Sequence, residues 1–182
     1  MAAKLPQSTK LPALLVSVLF ALAGCMFVRH PGNVPDIGLD KVGALDGKYS
    51  VALINAQPDS NLQQKEYLAA ILGYAYVNYN EWTEFFVNYY SNELKKRGVN
   101  VTSDSPNKIL VKLDGFTNIL ESFKKKTIIH FRFSTADGKI IKEMYETDTS
   151  GLDPGHAYAG VIYHTVEKLL NDSDVLDRMK AY

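Results

Sequence analysis

Hydrophobic and polar positions recur along this chain in two periods, and the switches between them predict its elements. Tyr49 to Ala56 is a short, mostly apolar, β-rich run bounded by Gly47 and Pro58, and predicts an interior strand. Gln63 to Leu72 admits a helical turn or two, whereas Gly73-Tyr74-Ala75-Tyr76-Val77-Asn78-Tyr79 places aromatics at alternate positions, the period of a strand. The period then lengthens. Trp82, Phe85, Phe86, Tyr89, Tyr90 and Leu94 fall on one face of a helix. Asn80 is its expected cap, since an Asn side chain accepts from the first-turn N–H groups. Lys95-Lys96-Arg97-Gly98 is its expected end, with cations facing the negative pole and a glycine able to turn left-handed.

Alternation resumes at Ile109, Val111 and Leu113 and continues through Phe116 towards Leu120. From Thr127 to Phe133 it puts Ile129, Phe131 and Phe133 on one face and Ile128, His130 and Arg132 on the other. Asp137-Gly138 suits a tight hairpin turn, and Lys139 to Thr147 supplies the returning strand, so three consecutive antiparallel strands are expected. Asp153-Pro154 joins a cap to a residue pre-set for the first helical turn. Tyr158, Val161, Ile162, Thr165, Leu169 and Leu170 then form the stripe of a second long helix, and Ser173 caps a short terminal one. The order predicts an α+β two-layer sandwich: a mainly antiparallel sheet with two long helices packed on one face.

Two segments lack either period. The first is a continuous stretch of apolar and small residues from Leu11 to Leu22, preceded by Lys4 and Lys10 and followed by Ala23-Gly24, which is the layout of a secretory signal. About twelve residues are too few to span a bilayer, which takes roughly twenty. The sole cysteine, Cys25, follows immediately. Leu22-Ala23-Gly24-Cys25 resembles the lipobox of bacterial lipoproteins: an aliphatic residue, two small ones, then cysteine. The resemblance implies cleavage between Gly24 and Cys25, a diacylglycerol on the thiol and, usually, acylation of the new amino group. One chain binds a membrane only marginally, whereas two or three hold it. Met26 stands where an aspartate retains enterobacterial lipoproteins in the inner membrane, so the resemblance implies an outer-membrane, periplasm-facing anchor. The second aperiodic segment, Met26 to about Gly47, carries Pro31, Gly32, Pro35, Gly38 and Gly43. The domain plan expected is therefore a signal over 1–24, a lipidated flexible tether over 25–47 and a single periplasmic domain over 48–182.

The chain has 20 basic and 20 acidic side chains, and loss of Lys4 and Lys10 with the signal leaves 18 against 20. Near-neutrality argues against a nucleic-acid partner. The densest basic runs, Lys95-Lys96-Arg97 and Lys124-Lys125-Lys126, read more economically as a helix end and a strand start than as anion sites. The chain has no nucleophile elbow, phosphate-cradling loop, dinucleotide fingerprint or zinc-binding helix motif. His156 and His164 are separated by about 12 Å of helical rise, too far for one metal ion without His130 or Asp153 between them. Asp172-Ser173-Asp174 with Asp177 lacks the glycine and closing glutamate of a calcium loop. No catalytic residue, metal or cofactor is expected.

Aromatic residues are the unusual component. Trp82, Phe85, Phe86 and Tyr89 read as a helix's core face, while Tyr74, Tyr76 and Tyr79 are the candidate partner surface, for an envelope protein or a glycan. The element order loosely resembles small outer-membrane lipoproteins, among them the plug-like lipoprotein of the lipopolysaccharide-translocating barrel and auxiliary lipoproteins of ABC-type envelope transport systems. The resemblance implies work by contact. The expectation is a non-catalytic outer-membrane lipoprotein, an accessory or scaffold subunit of an envelope assembly or transport complex. The alternative is a periplasmic lipoprotein that binds a lipid or glycan.

Overall fold

Strand alternation builds the larger of two sheets. The computed structural model describes residues 25–45, 48–58, 63–67, 73–121, 124–151 and 154–180. Strands β2 (Ser50–Asn55), β5 (Asn100–Val101), β6 (Lys108–Glu121), β7 (Lys124–Thr135) and β8 (Ile140–Ser150) form a sheet in the order β5-β2-β6-β7-β8. The β6-β7-β8 meander is antiparallel, as expected, and Gly138 takes the positive φ of 86° that the β7–β8 turn requires. The interior strand β2 instead runs parallel to both its neighbours. Its chain returns to β6 only after crossing through helix α1 (Tyr79–Lys96), and a long crossover of that kind joins parallel strands.

Helices α1 and α2 (Pro154–Leu169) pack on the sheet face that carries Val111, Leu113, Ile129, Phe131 and Phe133, all of them buried. Phe86 of α1 sits 4.2 Å from Phe131, centroid to centroid. The α2 stripe read from the sequence is buried throughout, and a short α3 (Ser173–Met179) closes the end. The fold is an α+β sandwich.

Several boundaries differ from expectation for local reasons. Helix α1 starts ahead of Asn80, because Asn78 is the residue whose side chain accepts from the N–H groups of Asn80 and Glu81. Asp172, not Ser173, caps α3, accepting from Val175 N at 3.1 Å. Burial opposes ionisation of Asp172, but the Lys142 ammonium and the Val175 N–H outweigh it and hold its carboxyl below the ordinary 3.8. Asp153, the expected cap of α2, lies outside the described residues. Gln63–Tyr67 is strand β3 rather than helical turns, because pairing with β4 (Gly73–Asn78) satisfies a backbone whose own side chains are nearly all polar. With β1 (Cys25–Arg29), these strands form a separate small sheet in the order β1-β4-β3.

The largest correction concerns the expected tether. After β1 the chain runs as an extended strap beside α1, in the same direction as the helix. Trp82 Nε1 donates to the Arg29 carbonyl at 2.9 Å, and Tyr89 OH to that of Pro35 at 2.6 Å. Near the far end Arg97 donates to Ile37 O at 3.0 Å and to Val42 O at 3.1 Å. Ile37 and Val42 are buried in the same core as the helices. Prolines and glycines here shape a fixed path along a helix, a use that composition cannot tell from flexibility.

Tyr90 is fully buried, and its hydroxyl has no hydrogen-bond partner among the described residues. Burial pushes its pKa well above the ordinary tyrosine value, with the Asp172 charge adding to the effect. An unpaired buried hydroxyl costs about 1–3 kcal/mol. Tyr90→Phe is therefore expected to raise stability by about 1 kcal/mol, readable as a higher urea midpoint at unchanged slope; a lower midpoint would show that the hydroxyl has a partner.

Candidate functional site

Among the described side chains of the small sheet, Val77 lies in the core and Val28 outside it. In register, Arg29 of β1 and Gln64 of β3 flank Val77, whereas Val28 and Lys65 flank Tyr76. Directly paired residues share a face and successive residues alternate, so Val77 and Tyr76 mark opposite faces. Val77 is completely buried; Val28 is 45% exposed and Tyr76 half-buried. Tyr74 occupies the register position opposite Met26, one alternation along from Tyr76. Tyr79 parts company with these two. It opens α1, is half-buried against the main core, and its carbonyl accepts from Thr83 Oγ1 at 2.7 Å. Cys25 is the first residue of β1, so no spacer separates it from the folded domain. Leu22, Ala23 and Gly24 lie outside the described residues.

Under the small sheet, Trp82, Phe116 and Tyr158 meet edge to face at centroid distances of 5.1 to 5.5 Å. The Tyr158 hydroxyl then enters a buried polar chain. Asn118 Nδ2 donates to it at 2.9 Å, Lys125 Nζ donates at 3.3 Å, and Thr127 Oγ1 donates to Asn118 Oδ1 at 2.6 Å. The middle lysine of the Lys124-Lys125-Lys126 run is thus an internal residue. The other basic run is similarly engaged. Arg97 is buried against Glu93, with Nη1 2.5 Å from Oε2, and Lys96 donates to Ile37 O at 2.7 Å and pairs with Asp36. The side-chain bond from Lys96 in turn holds the Asp36 carboxyl below its ordinary range.

No family model matches this chain, and no curated protein does.

The histidines lie in separate neighbourhoods. His30 contacts Glu81 at 2.9 Å and His164 contacts Glu167 at 3.4 Å, both on exposed surface. His156 lines a groove of about 430 Å³ between strap and α2, with Pro35, Asp36, Lys41 and Tyr163. The Lys41 ammonium lies 5.1 Å from the Tyr163 ring centre, and its bond to the Tyr163 hydroxyl holds its pKa above the ordinary value. His130 faces away from the helices and stacks on Tyr145 at 3.9 Å. It stands with Asp114, at a β-bulge between Leu113 and Gly115, and with Glu143; one ligand atom from each falls within 4.8 Å of the others.

Such a trio has the chemistry of a metal site, but Arg132 occupies it. Its Nη2 lies 2.8 Å from Asp114 Oδ2, an ion-pair contact off the hydrogen-bonding axis, and its Nε donates to Glu143 Oε1 at 3.0 Å. Lys112 adds a second cation 3.3 Å from Asp114 Oδ1. Two carboxylates therefore face two cations already, and the cluster reads as a cross-strand charge lattice on the open face of β6-β7-β8. A metal ion would have to displace Arg132 from both carboxylates.

Proposed function

We propose that this protein is a lipid-anchored, non-catalytic subunit of the bacterial cell envelope, held at the outer membrane through Cys25 and acting in the periplasm by contact with an envelope protein. The position of the sole cysteine carries the reading. It ends Leu22-Ala23-Gly24-Cys25, behind a basic start and an apolar run, and it belongs to β1, so an acylated thiol would sit directly on the domain. Among the described residues no helix is long and apolar enough to cross a membrane. His130, His156 and His164 stand apart instead of converging on one cleft, an arrangement that favours contact over bond-making.

Cys25→Ser tests the anchor. The wild-type protein is expected in the membrane fraction with a mature N-terminus carrying acyl mass, and the variant is expected to leave that fraction or to remain unprocessed. Undiminished membrane retention of a processed Cys25→Ser protein would overturn the proposal. Crosslinking in intact cells followed by a pull-down of the lipidated protein then reads the partner.

A further inference from the structure

The absence of a spacer after Cys25 has a geometric consequence for orientation. We propose that the outer face of the small sheet, at Val28 and Tyr76, seats on the lipid headgroups, so that the domain lies on the bilayer that anchors it. This rests on acylation of Cys25.

Strand β1 rises about 3.3 Å per residue, so Val28 is only about 10 Å along the strand from the anchored residue. A diacylglycerol on Cys25 fixes that end of β1 at the headgroup boundary. A spacer of twenty residues would let the domain drift tens of Å away; here that stretch is strapped to α1 instead. Beside β1, the described end of β4 has Val77 and Tyr76 on opposite faces. The Val77 face is in the core, and the Val28 and Tyr76 face is partly open. The residue types there suit a headgroup layer. A tyrosine presents an apolar ring with a polar tip and is enriched at membrane interfaces. The opposite end of the main sheet, at Ile140, is expected to point away. Register runs from Ile140 to Ser134 and from Thr135 to Ile109, beside the C-terminal end of α1, whereas β4 leads into that helix's N-terminus. A helix of 18 residues separates the two ends by about 27 Å.

Acylation consumes the only native thiol, so a single introduced cysteine gives a unique label. Val28→Cys, Tyr76→Cys and Ile140→Cys would each be purified as the lipidated protein and labelled with an environment-sensitive fluorophore. Each would then be reconstituted into phosphatidylethanolamine and phosphatidylglycerol vesicles carrying a headgroup-nitroxide lipid. Trp82 emission checks that each variant is folded, and Val28→Cys, at an exposed site, serves should Tyr76→Cys fail to fold. Nitroxide quenching several-fold stronger at positions 28 and 76 than at 140 is the expected result. Equal quenching at all positions, in protein that floats with the vesicles, would overturn the seat and leave the anchor standing; such a face would be free for a protein. Failure of the wild-type protein to float would overturn the anchor and the seat together.

Discussion

Arg97→Ala is expected to cost about 3–5 kcal/mol, because it strands a buried carboxylate. Arg97 is fully enclosed and the Glu93 side chain is 4% exposed. Besides pairing with Glu93, the guanidinium donates to three carbonyls, those of Glu93, Ile37 and Val42. Glu93 in turn accepts from Ile37 N at 3.3 Å. Truncation removes every guanidinium bond and leaves the Glu93 charge in a poorly solvated place, with the Ile37 N–H and, at 4.0 Å, the Lys96 ammonium still near it. Against a typical domain stability of about 5–15 kcal/mol, the loss is large enough to make the protein marginal. The measurement is urea unfolding of the signal-free Cys25→Ser protein, with native-state hydrogen exchange over residues 36–45 reporting whether the strap detaches before the core opens. Replacing both partners by apolar residues, Glu93→Leu with Arg97→Met, is expected to recover much of the loss. A double variant as unstable as Arg97→Ala would show that the strap carbonyls, more than the charge, carry the effect. A single variant within 1 kcal/mol of wild type would contradict the burial.

Trp82→Ala is expected to cost a similar 3–5 kcal/mol, through a different mechanism. The indole is completely buried, makes edge contacts with Phe116 and Tyr158, and donates its N–H to Arg29 O. Alanine leaves a cavity where the small sheet, α1 and the β6-β7 hairpin meet. Trp82→Phe separates the two contributions. It keeps aromatic packing but leaves the Arg29 carbonyl unpaired, so the expected result is a smaller global loss with hydrogen exchange accelerated selectively in β1. Uniform loss of protection across α1 and β6 in Trp82→Phe would mean that shape, and not the hydrogen bond, holds β1 in place.

What could be read from the sequence was whatever leaves a local period. Helix α1 advertises itself through aromatics at three-to-four spacing and Gly98 at its end, which takes a φ of 88°. The β7-β8 hairpin does so through alternation and Asp137-Gly138. The bulge in β6 also leaves a trace. Buried positions run on odd numbers through Ile109, Val111 and Leu113, then switch to even ones at Phe116 and Asn118, a phase slip that a strict alternation test would catch. The parallel pairing of β2 was illegible, since it depends on a partner strand more than fifty residues away. So was the strap. An extended segment lying along a helix needs no repeat of its own, and Ile37 and Val42 are buried by residues distant in sequence. The one advance hint was Glu93 and Arg97 at i,i+4 spacing, which reads equally well as a surface helix pair. Of the proposed site, Leu22-Ala23-Gly24-Cys25 is a contiguous string, so its resemblance to a lipobox needs no knowledge of the fold. The three candidate tyrosines divide because the strand ends at Asn78, which leaves Tyr79 in the helix and Tyr76 on the sheet.

The strap's partners lie 51 to 60 residues further along the chain, from the His30 contact with Glu81 to the Arg97 bond with Ile37. Contacts closed over such distances form late, because the loop between them must be ordered first. The strap precedes α1 in the chain, so it has no helix to dock against until α1 has been synthesised. A truncated chain ending before Tyr79 would therefore lack every strap contact with that helix.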